Sequence, residues 1–244
     1  MRNIKAIMSY RGTAYHGFQR QENAVAVQNI LEEKLSELTN GTVKVNGCSR
    51  TDTGVHANEY CFSFYTEHKI PCASLIRGIN SKLPDDIAVH SFEDVADDFH
   101  ARFSCTGKEY VFLILNRPTK DPFYADLAFH YPFKLDEKLL HDAAQAFVGT
   151  HDFTSFCGVA GVKDDNTRTI EYFKVVREGD MVKMYVKGDG FLYNMVRIMV
   201  GTLIYINEGR LAPDSIPDIL DAKDRNCAGK TAVPHGLYLN KVFY

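Results

Sequence analysis

Short strand-like runs alternate with helical stripes along this chain, and this alternation is what most constrains its fold. In the first hundred residues the predicted order is strand, helix, strand, strand, helix, strand. The first helix is indicated by apolar residues at spacings of three and four on a background of Glu and Lys, namely Val27, Ile30, Leu31, Leu35 and Leu38. Such spacing places one apolar stripe on an otherwise solvated helix. The predicted strands are 3–10, 42–46, 60–66 and 86–92, and a second helix is predicted over 72–82.

The second half has the same rhythm. Strands are predicted over 109–116, 128–133, 169–177, 181–187 and 237–243, and helices over 136–148, 191–207 and 214–222. The strands that flank Glu178-Gly179-Asp180 are expected to form a hairpin. We therefore predict an α+β protein of two ferredoxin-like halves that share a mostly antiparallel central sheet, with helices on one side. The boundary is expected near residues 100–108, which divides the chain into domains 1–105 and 106–244.

The composition is that of an ordinary globular chain, with 28 Lys plus Arg, 31 Asp plus Glu and 45% hydrophobic residues. A net charge of -3 provides no overall attraction to a polyanion, so composition alone argues against a nucleic-acid partner. The charge is uneven, however. Six acids and no Lys or Arg lie within 85–98, a run typical of a solvated acidic face, and the rest of the chain has a small excess of bases.

Cysteine and histidine spacing predicts no metal site. The six cysteines form no C-x-x-C pair and there is no H-E-x-x-H motif, so we expect free thiols in a reducing, cytoplasmic compartment. The longest apolar stretch, 191–206, is interrupted by Asn194, Arg197 and Thr202, and it is shorter than the roughly 20 residues that a membrane-spanning helix needs. No membrane role is expected.

The loop 48–57 contains one carboxylate, Asp52, placed two residues after Arg50 and two residues before Gly54. A nearby guanidinium would favour the ionised carboxylate, which could then serve as a nucleophile or a base. The alternative is structural, because Asp-x-Gly is also a common turn in which Asp bends the backbone and Gly supplies a positive φ. Spacing alone leaves both interpretations open.

Arg197 lies within the apolar run Met195-Val196-Arg197-Ile198-Met199. Its guanidinium must either extend to solvent or be buried and paired, since an unpaired buried charge costs several kcal/mol. Candidate carboxylate partners are Asp52, Asp189 and Glu171, and periodicity does not choose among them.

Aromatic residues lie beside basic ones at 10–11, 15–20, 100–103 and 108–110. A flat ring next to a cation can stack on a base and bind a phosphate. The alternative for many aromatic side chains is that they fill the core.

Taken together, these segments resemble the tRNA pseudouridine synthase A family of bacteria. Residues 50–57, Arg-Thr-Asp-Thr-Gly-Val-His-Ala, are similar to the family's R-T-D-x-G-V-H-A signature, and 10–21 is similar to its opening motif. Further similar segments follow in the same order along nearly the whole chain, at 27–32, 83–87, 99–104, 152–156, 191–201 and 236–239.

The resemblance implies an isomerase that converts uridine to pseudouridine at positions 38, 39 and 40 of the tRNA anticodon stem and loop, without cofactor or metal. Asp52 is then the catalytic residue, which either attacks ribose C1′ or abstracts a ribose proton. Arg197 is similar to the family's Arg that pairs with this carboxylate.

The resemblance also implies roles for substrate-binding residues. Tyr110 is expected to stack on the target uracil, with a core role as the alternative, and Arg50 to fill the space of the flipped base or to clamp the nucleotide. His56 is expected to stabilise the loop. The family works as a homodimer in which the tRNA lies across both subunits. The N-terminal domain would contain the Asp52 loop, and the C-terminal domain would complete the active-site cleft.

Three departures from the family pattern are Ser49 for Gly, Arg11 for Asp and Phe18 for Trp. They affect the expected geometry of the loop and the RNA contacts, because Ser adopts positive φ less freely than Gly.

Two other functional classes remain as hypotheses. One is a non-catalytic tRNA-binding protein or folding chaperone. The other is an Asp-dependent phosphotransferase or glycosidase, and a glycosidase normally uses a second, paired carboxylate.

Overall fold

A computed structural model describes residues 1–244 as a mixed α+β protein that divides into two compact units. Unit 1 comprises Met1–Thr106 and Tyr238–Tyr244, and unit 2 comprises Gly107–Leu237. The elements in the first part of the chain are β1 (Arg2–Tyr10), α1 (Val27–Thr39), β2 (Val45–Gly47), β3 (His56–Thr66), α2 (Cys72–Asn80) and β4 (Ile87–Val95). They are followed by β5 (Gly107–Leu115), β6 (Phe129–His130), α3 (Glu137–Ala144), β7 (Gly149–Asp152), β8 (Thr167–Glu178), β9 (Met181–Gly188), α4 (Met195–Asn207), α5 (Ile216–Ala222) and β10 (Leu237–Phe243).

The sheet of unit 1 has the strand order β4-β1-β3-β10. β1 is antiparallel to both of its neighbours, β3 and β4. The C-terminal strand β10 joins β3 in parallel, with Tyr238 opposite His56, and β2 pairs antiparallel with β3. The C-terminal strand therefore lies beside the start of β3, where the Asp52 loop ends.

The middle of β3, from Tyr60 to Phe64, is buried on both faces, which explains its largely apolar sequence. Phe62 and Phe64, on one face, meet the ring of Phe92 edge to face. On the other face, the Ser63 hydroxyl accepts from the Ala101 N–H, and the Tyr244 hydroxyl donates to the Ala101 carbonyl. The turn around Ala101 and the C-terminal residue thus cover the second face of the sheet.

The sheet of unit 2 has the strand order β5-β9-β8-β7, with all of these pairs antiparallel. β8 and β9 form the predicted hairpin, in which Glu178 pairs with Met181 and Gly179 has φ +60. The short strand β6 joins β5 in parallel. Rings from several elements fill the core, and the fully buried ones are Phe112, Phe147, Phe153, Phe156 and Phe173.

α4 is apolar on nearly all sides and most of its residues are buried. At Gly201 the helix approaches a neighbouring segment so closely that a Cβ atom would lie 1.7 Å from the Lys230 carbonyl oxygen. Only glycine fits at this contact.

The α+β class and the mostly antiparallel pairing predicted from the sequence are confirmed. Element bounds differ where the pattern was purely local. α4 begins at Met195 rather than at 191, because Asn194 has left-handed backbone dihedrals that no helix residue adopts. β3 begins at His56 rather than at 60, because its first residues pair with β10. Strand β7 was missed, since its polar residues show no alternation.

No helix of the protein combines the length and the apolar character needed to cross a bilayer.

Neighbouring residues of β3 test this account of the core. Phe64 is fully buried, whereas Tyr65 on the opposite side of the strand is 40% exposed. Phe64→Ala should lower the free energy of unfolding by about 3–5 kcal/mol. Tyr65→Ala should lower it by no more than about 1 kcal/mol. Urea unfolding measures both, and equal losses would contradict the difference in burial between Phe64 and Tyr65.

Candidate active site

Asp52 and Arg50 lie in the loop between β2 and β3. The Val55 N–H donates to the Asp52 carbonyl at 3.1 Å, and Gly54 has φ +79, which is typical of a type II turn. The structural interpretation of Asp-x-Gly is therefore correct for the backbone. The side chain of Asp52 is half-buried and that of Arg50 is exposed, so both are left outside the core.

The segment that follows β1 packs along this loop and holds it by hydrogen bonds. The Gly54 N–H donates to the Tyr15 carbonyl at 3.3 Å, and the hydroxyls of Tyr10 and Thr51 are 2.8 Å apart. The opening motif and the Asp52 motif, which are about 35 residues apart in the chain, are thus one structural unit.

Two glycines make this packing possible. A Cβ atom on Gly12 would lie 2.0 Å from the Val55 carbonyl oxygen, and one on Gly17 would lie 2.2 Å from that of Thr51. Gly17 also has φ +80. Both positions bring backbone against backbone, so any side chain would push the Asp52 loop away.

His56 stabilises the loop, as expected. It is fully buried, its Nδ1 accepts from the Gly12 N–H at 2.9 Å, and its ring lies 4.6 Å from that of Tyr238. Because Nδ1 is an acceptor here, the neutral ring has its proton on Nε2. Burial raises the pKa of Tyr238 to about 12, so its hydroxyl also stays neutral beside the ring.

The three departures from the family pattern fit locally. Ser49 does not have a positive φ, so the absence of glycine causes no backbone strain there. Its carbonyl accepts from the Tyr60 hydroxyl. Phe18 is buried and stacks on the Tyr60 ring at 4.2 Å. The Arg11 N–H donates to the Asp86 carbonyl at 2.9 Å.

Tyr10, Tyr15 and Phe18 fill the core, which is the alternative that the sequence left open for aromatic residues beside basic ones. Each is at least nine-tenths buried, because their segment packs on the Asp52 loop. Among the aromatic–basic segments, 100–103 has an exposed ring, since Phe103 is 76% exposed and the Arg102 guanidinium lies 5.7 Å from its centroid.

An unpredicted contact involves the acidic run. The Tyr15 hydroxyl donates to Asp86 at 2.6 Å, and burial together with this carboxylate raises the pKa of Tyr15. Asp94 pairs with Arg2 at 2.7 Å, and this pairing lowers the pKa of Asp94. Part of the run is therefore engaged in the fold, and no local sequence signal shows it, because the partners are distant in the chain.

In unit 2, Tyr110 lies on β5 and is buried. Its ring meets that of Phe191 edge to face, with centroids 5.1 Å apart. Phe191 belongs to the segment that leads from β9 into α4. Tyr110 is thus held beside the start of the helix that contains Arg197.

Arg197 is half-buried, and its guanidinium has two acceptors within unit 2. Nε donates to the Ala232 carbonyl at 2.7 Å, and Nη1 donates to Asn194 Oδ1 at 2.8 Å. Two candidate carboxylates have other partners, since Glu171 pairs with Lys187 and Asp189 accepts from the Thr169 N–H. The pairing of Arg197 with Asp52 stays a prediction.

The protein contains no group of three or more His, Cys, Asp or Glu side chains arranged to hold a metal ion. Cys48, Cys61 and Cys157 are buried thiols, and burial raises the pKa of Cys61 to about 11. A thiol that stays protonated is a poor nucleophile. Asp52, by contrast, is a half-exposed acid in a rigid loop, where a carboxylate can reach a ligand.

Comparison with known proteins identifies the family. The family model described as tRNA pseudouridine synthase matches residues 6–104 and 143–244. The chain belongs to this family. It is 43% identical to tRNA pseudouridine synthase A of Thermoanaerobacter sp. (strain X514), over 100% of both chains. It is 42% identical to tRNA pseudouridine synthase A 2 of Clostridium perfringens (strain 13 / Type A), again over 100% of both.

Among solved structures, a chain of the Cbf5-Nop10-Gar1 complex matches with a TM-score of 0.39 and 12% identity, over 82% of this chain and 44% of that one. The resemblance drawn from the motifs is confirmed by the family match. The protein is an enzyme of a family of isomerases that act on tRNA.

The glycine contact behind the Asp52 loop can be tested against a matched control. Gly179 also has a positive φ, but a Cβ atom there would meet nothing within 4 Å. Gly179→Ala should lower the free energy of unfolding by about 1–2 kcal/mol, which is only the cost of placing a residue with a Cβ atom at a positive φ. Gly17→Ala should lower it by about 1–3 kcal/mol more, because the methyl group overlaps the Thr51 carbonyl. Denaturant titration measures both, and equal losses would show that the close approach is unimportant.

Proposed function

We propose that this protein isomerises uridine to pseudouridine at positions 38, 39 and 40 of the tRNA anticodon stem and loop, with Asp52 as the reacting carboxylate. The observation that carries the proposal is the presentation of Asp52. Its loop is held from behind by backbone packing on Gly12 and Gly17, while its side chain stays half-exposed. A rigid backbone with an accessible carboxylate is what positioned catalysis requires.

The reaction is balanced without any redox partner. The bond between ribose C1′ and uracil N1 breaks, the base turns, and C1′ bonds to C5. The proton on C5 is lost and N1 gains one. Asp52 either attacks C1′ or abstracts a ribose proton, and both routes need one ionised carboxylate.

Arg197 is proposed to support Asp52 by pairing with its carboxylate and orienting it. A charge-assisted hydrogen bond between a guanidinium and a carboxylate is strong and directional. This role would account for an arginine in an otherwise apolar helix, where a buried charge costs stability unless it is paired.

Tyr110 and Arg50 are the proposed substrate-binding residues. A uridine in the anticodon stem must leave the base stack to reach a carboxylate, at a cost of a few kcal/mol. Tyr110, fixed by Phe191, would stack on the flipped uracil. Arg50, which is exposed, would fill the vacated space or clamp the nucleotide.

Further parts of the proposal concern partners and location. The substrate is the anticodon arm of tRNA, the protein acts in the cytoplasm, and it works as a homodimer. With a net charge of -3, binding to random RNA should be weak and salt-dependent, so selectivity comes from tRNA shape and the flipped uridine.

The catalytic assignment predicts the behaviour of Asp52→Asn. With tRNA tritiated at uracil C5, this variant should release tritium at least about 1,000-fold more slowly than the wild type, because the amide neither attacks nor takes a proton. The matched control is Asp98→Asn, which removes an exposed carboxylate from the acidic run. Its rate should equal the wild-type rate. Undiminished release from Asp52→Asn would refute the role of Asp52.

The role of Arg197 makes a second prediction. Arg197→Gln should lower kcat for tritium release by about 10- to 100-fold, since one charge-assisted interaction is lost. The control is Arg210→Gln, which removes a partly exposed arginine paired with Glu208 on the same unit. Equal kcat values for the two variants would show that Arg197 has no part in the reaction.

A further inference from the structure

We propose that Asn194 is a positioning residue that orients the Arg197 guanidinium, together with the Ala232 carbonyl. The inference rests on the proposed function of Arg197 and extends it to the residues behind it. Asn194 itself does not touch the substrate, so its effect on the reaction passes through Arg197.

The first observation is the arrangement around the guanidinium. Two different nitrogens of the planar fork are held, Nη1 by Asn194 Oδ1 at 2.8 Å and Nε by the Ala232 carbonyl at 2.7 Å. Two bonds to one plane fix both its position and its rotation. Because a guanidinium only donates, the amide oxygen of Asn194 must be the atom that faces it.

The second observation is that the Asn194 side chain does not cap the helix that follows it. Asn194 is the N-cap residue of α4, where an Asn side chain ordinarily accepts from a backbone N–H of the first turn. Here the side chain makes no such capping bond. Instead, Asn194 Oδ1 accepts a hydrogen bond from Arg197, which lies one helical turn further on.

The third observation is the backbone of Asn194. Its φ of 60 and ψ of 6 lie in the left-handed region, which Asn enters more readily than other residues with a Cβ atom. This conformation ends the incoming segment and starts the helix, and the Ile198 N–H donates to the Asn194 carbonyl at 3.0 Å. Glycine would serve the backbone at least as well, so the presence of the amide needs a separate reason.

The fourth observation is that the second acceptor is also held rigidly. The segment before Ala232 packs on α4 through two glycines, since a Cβ atom on Gly229 would lie 2.6 Å from the Gly201 carbonyl oxygen. The Gly229 N–H donates to the Thr202 hydroxyl at 2.9 Å. The Ala232 N–H donates to the Arg197 carbonyl at 3.0 Å, so the same residue that accepts from the side chain is tied to the backbone of Arg197.

The two acceptors share one further property, because neither an amide oxygen nor a backbone carbonyl is charged. They orient the guanidinium without neutralising it. A carboxylate in either place would form an ion pair with Arg197 and compete with a reacting carboxylate.

The experiment is a double-mutant cycle on the full chain with tritiated tRNA. Asn194→Gly removes the amide and keeps the left-handed backbone free of strain. It should lower kcat about 5- to 20-fold and change KM by less than about twofold, because a transition-state interaction is lost. The double variant Asn194→Gly with Arg197→Gln should be no slower than Arg197→Gln alone, since Asn194 acts through Arg197.

The matched control is Asn40→Gly. Asn40 also has a left-handed backbone, with φ 49, at the end of α1. The same substitution there should leave kcat unchanged, and thermal melts of both variants should lie within a few degrees of the wild type.

The outcomes separate the two proposals. If Arg197→Gln is impaired and Asn194→Gly has the wild-type kcat, or if the two effects multiply in the double variant, the positioning role is wrong and the proposed function stands. If the wild type releases no tritium, or if Arg197→Gln is unimpaired, the function proposed for these residues is refuted, and the inference falls with it.

Discussion

The close approach of two backbone segments behind Asp52 is the constraint on which the candidate site depends. Gly12 and Gly17 bring the segment after β1 into direct contact with the carbonyls of Val55 and Thr51. The loop is therefore shaped by its neighbour rather than by its own turn alone. Backbone packing is rigid, and a reacting carboxylate must be held to within a fraction of an ångström. The opening motif therefore sets the shape of the Asp52 loop.

A similar backbone contact between glycines occurs in unit 2, beside the Arg197 guanidinium. Gly201 and Gly229 let α4 and the following segment touch through their backbones, and this contact delivers the Ala232 carbonyl to Arg197. In each unit a pair of glycines sets the backbone, and a charged side chain projects from it. Such contacts resist small shifts, because both partners are backbone and neither can change rotamer.

Much of the fold could be predicted from the sequence. The stripe of α1, the β8–β9 hairpin and the Asp52 turn are local patterns, and local periodicity or turn chemistry determines them. The sequence left open whether Tyr15 and Phe18 offer ring faces to a ligand or fill the core, and both are buried. An aromatic ring beside a cation has the same local pattern whether it is exposed or covered, and only the packing of a distant segment decides which.

By itself, the sequence determined the α+β class, the family and the identity of Asp52 as the candidate reacting residue, because these follow from periodicity and from short motifs contiguous in the chain. Tertiary structure decided which atoms contact each functional side chain. Arg197 finds one acceptor at Asn194, three residues before it, and the other at Ala232, far along the chain. A local pattern shows that a buried charge needs partners. It does not show which ones, because distant partners meet only when the chain has folded.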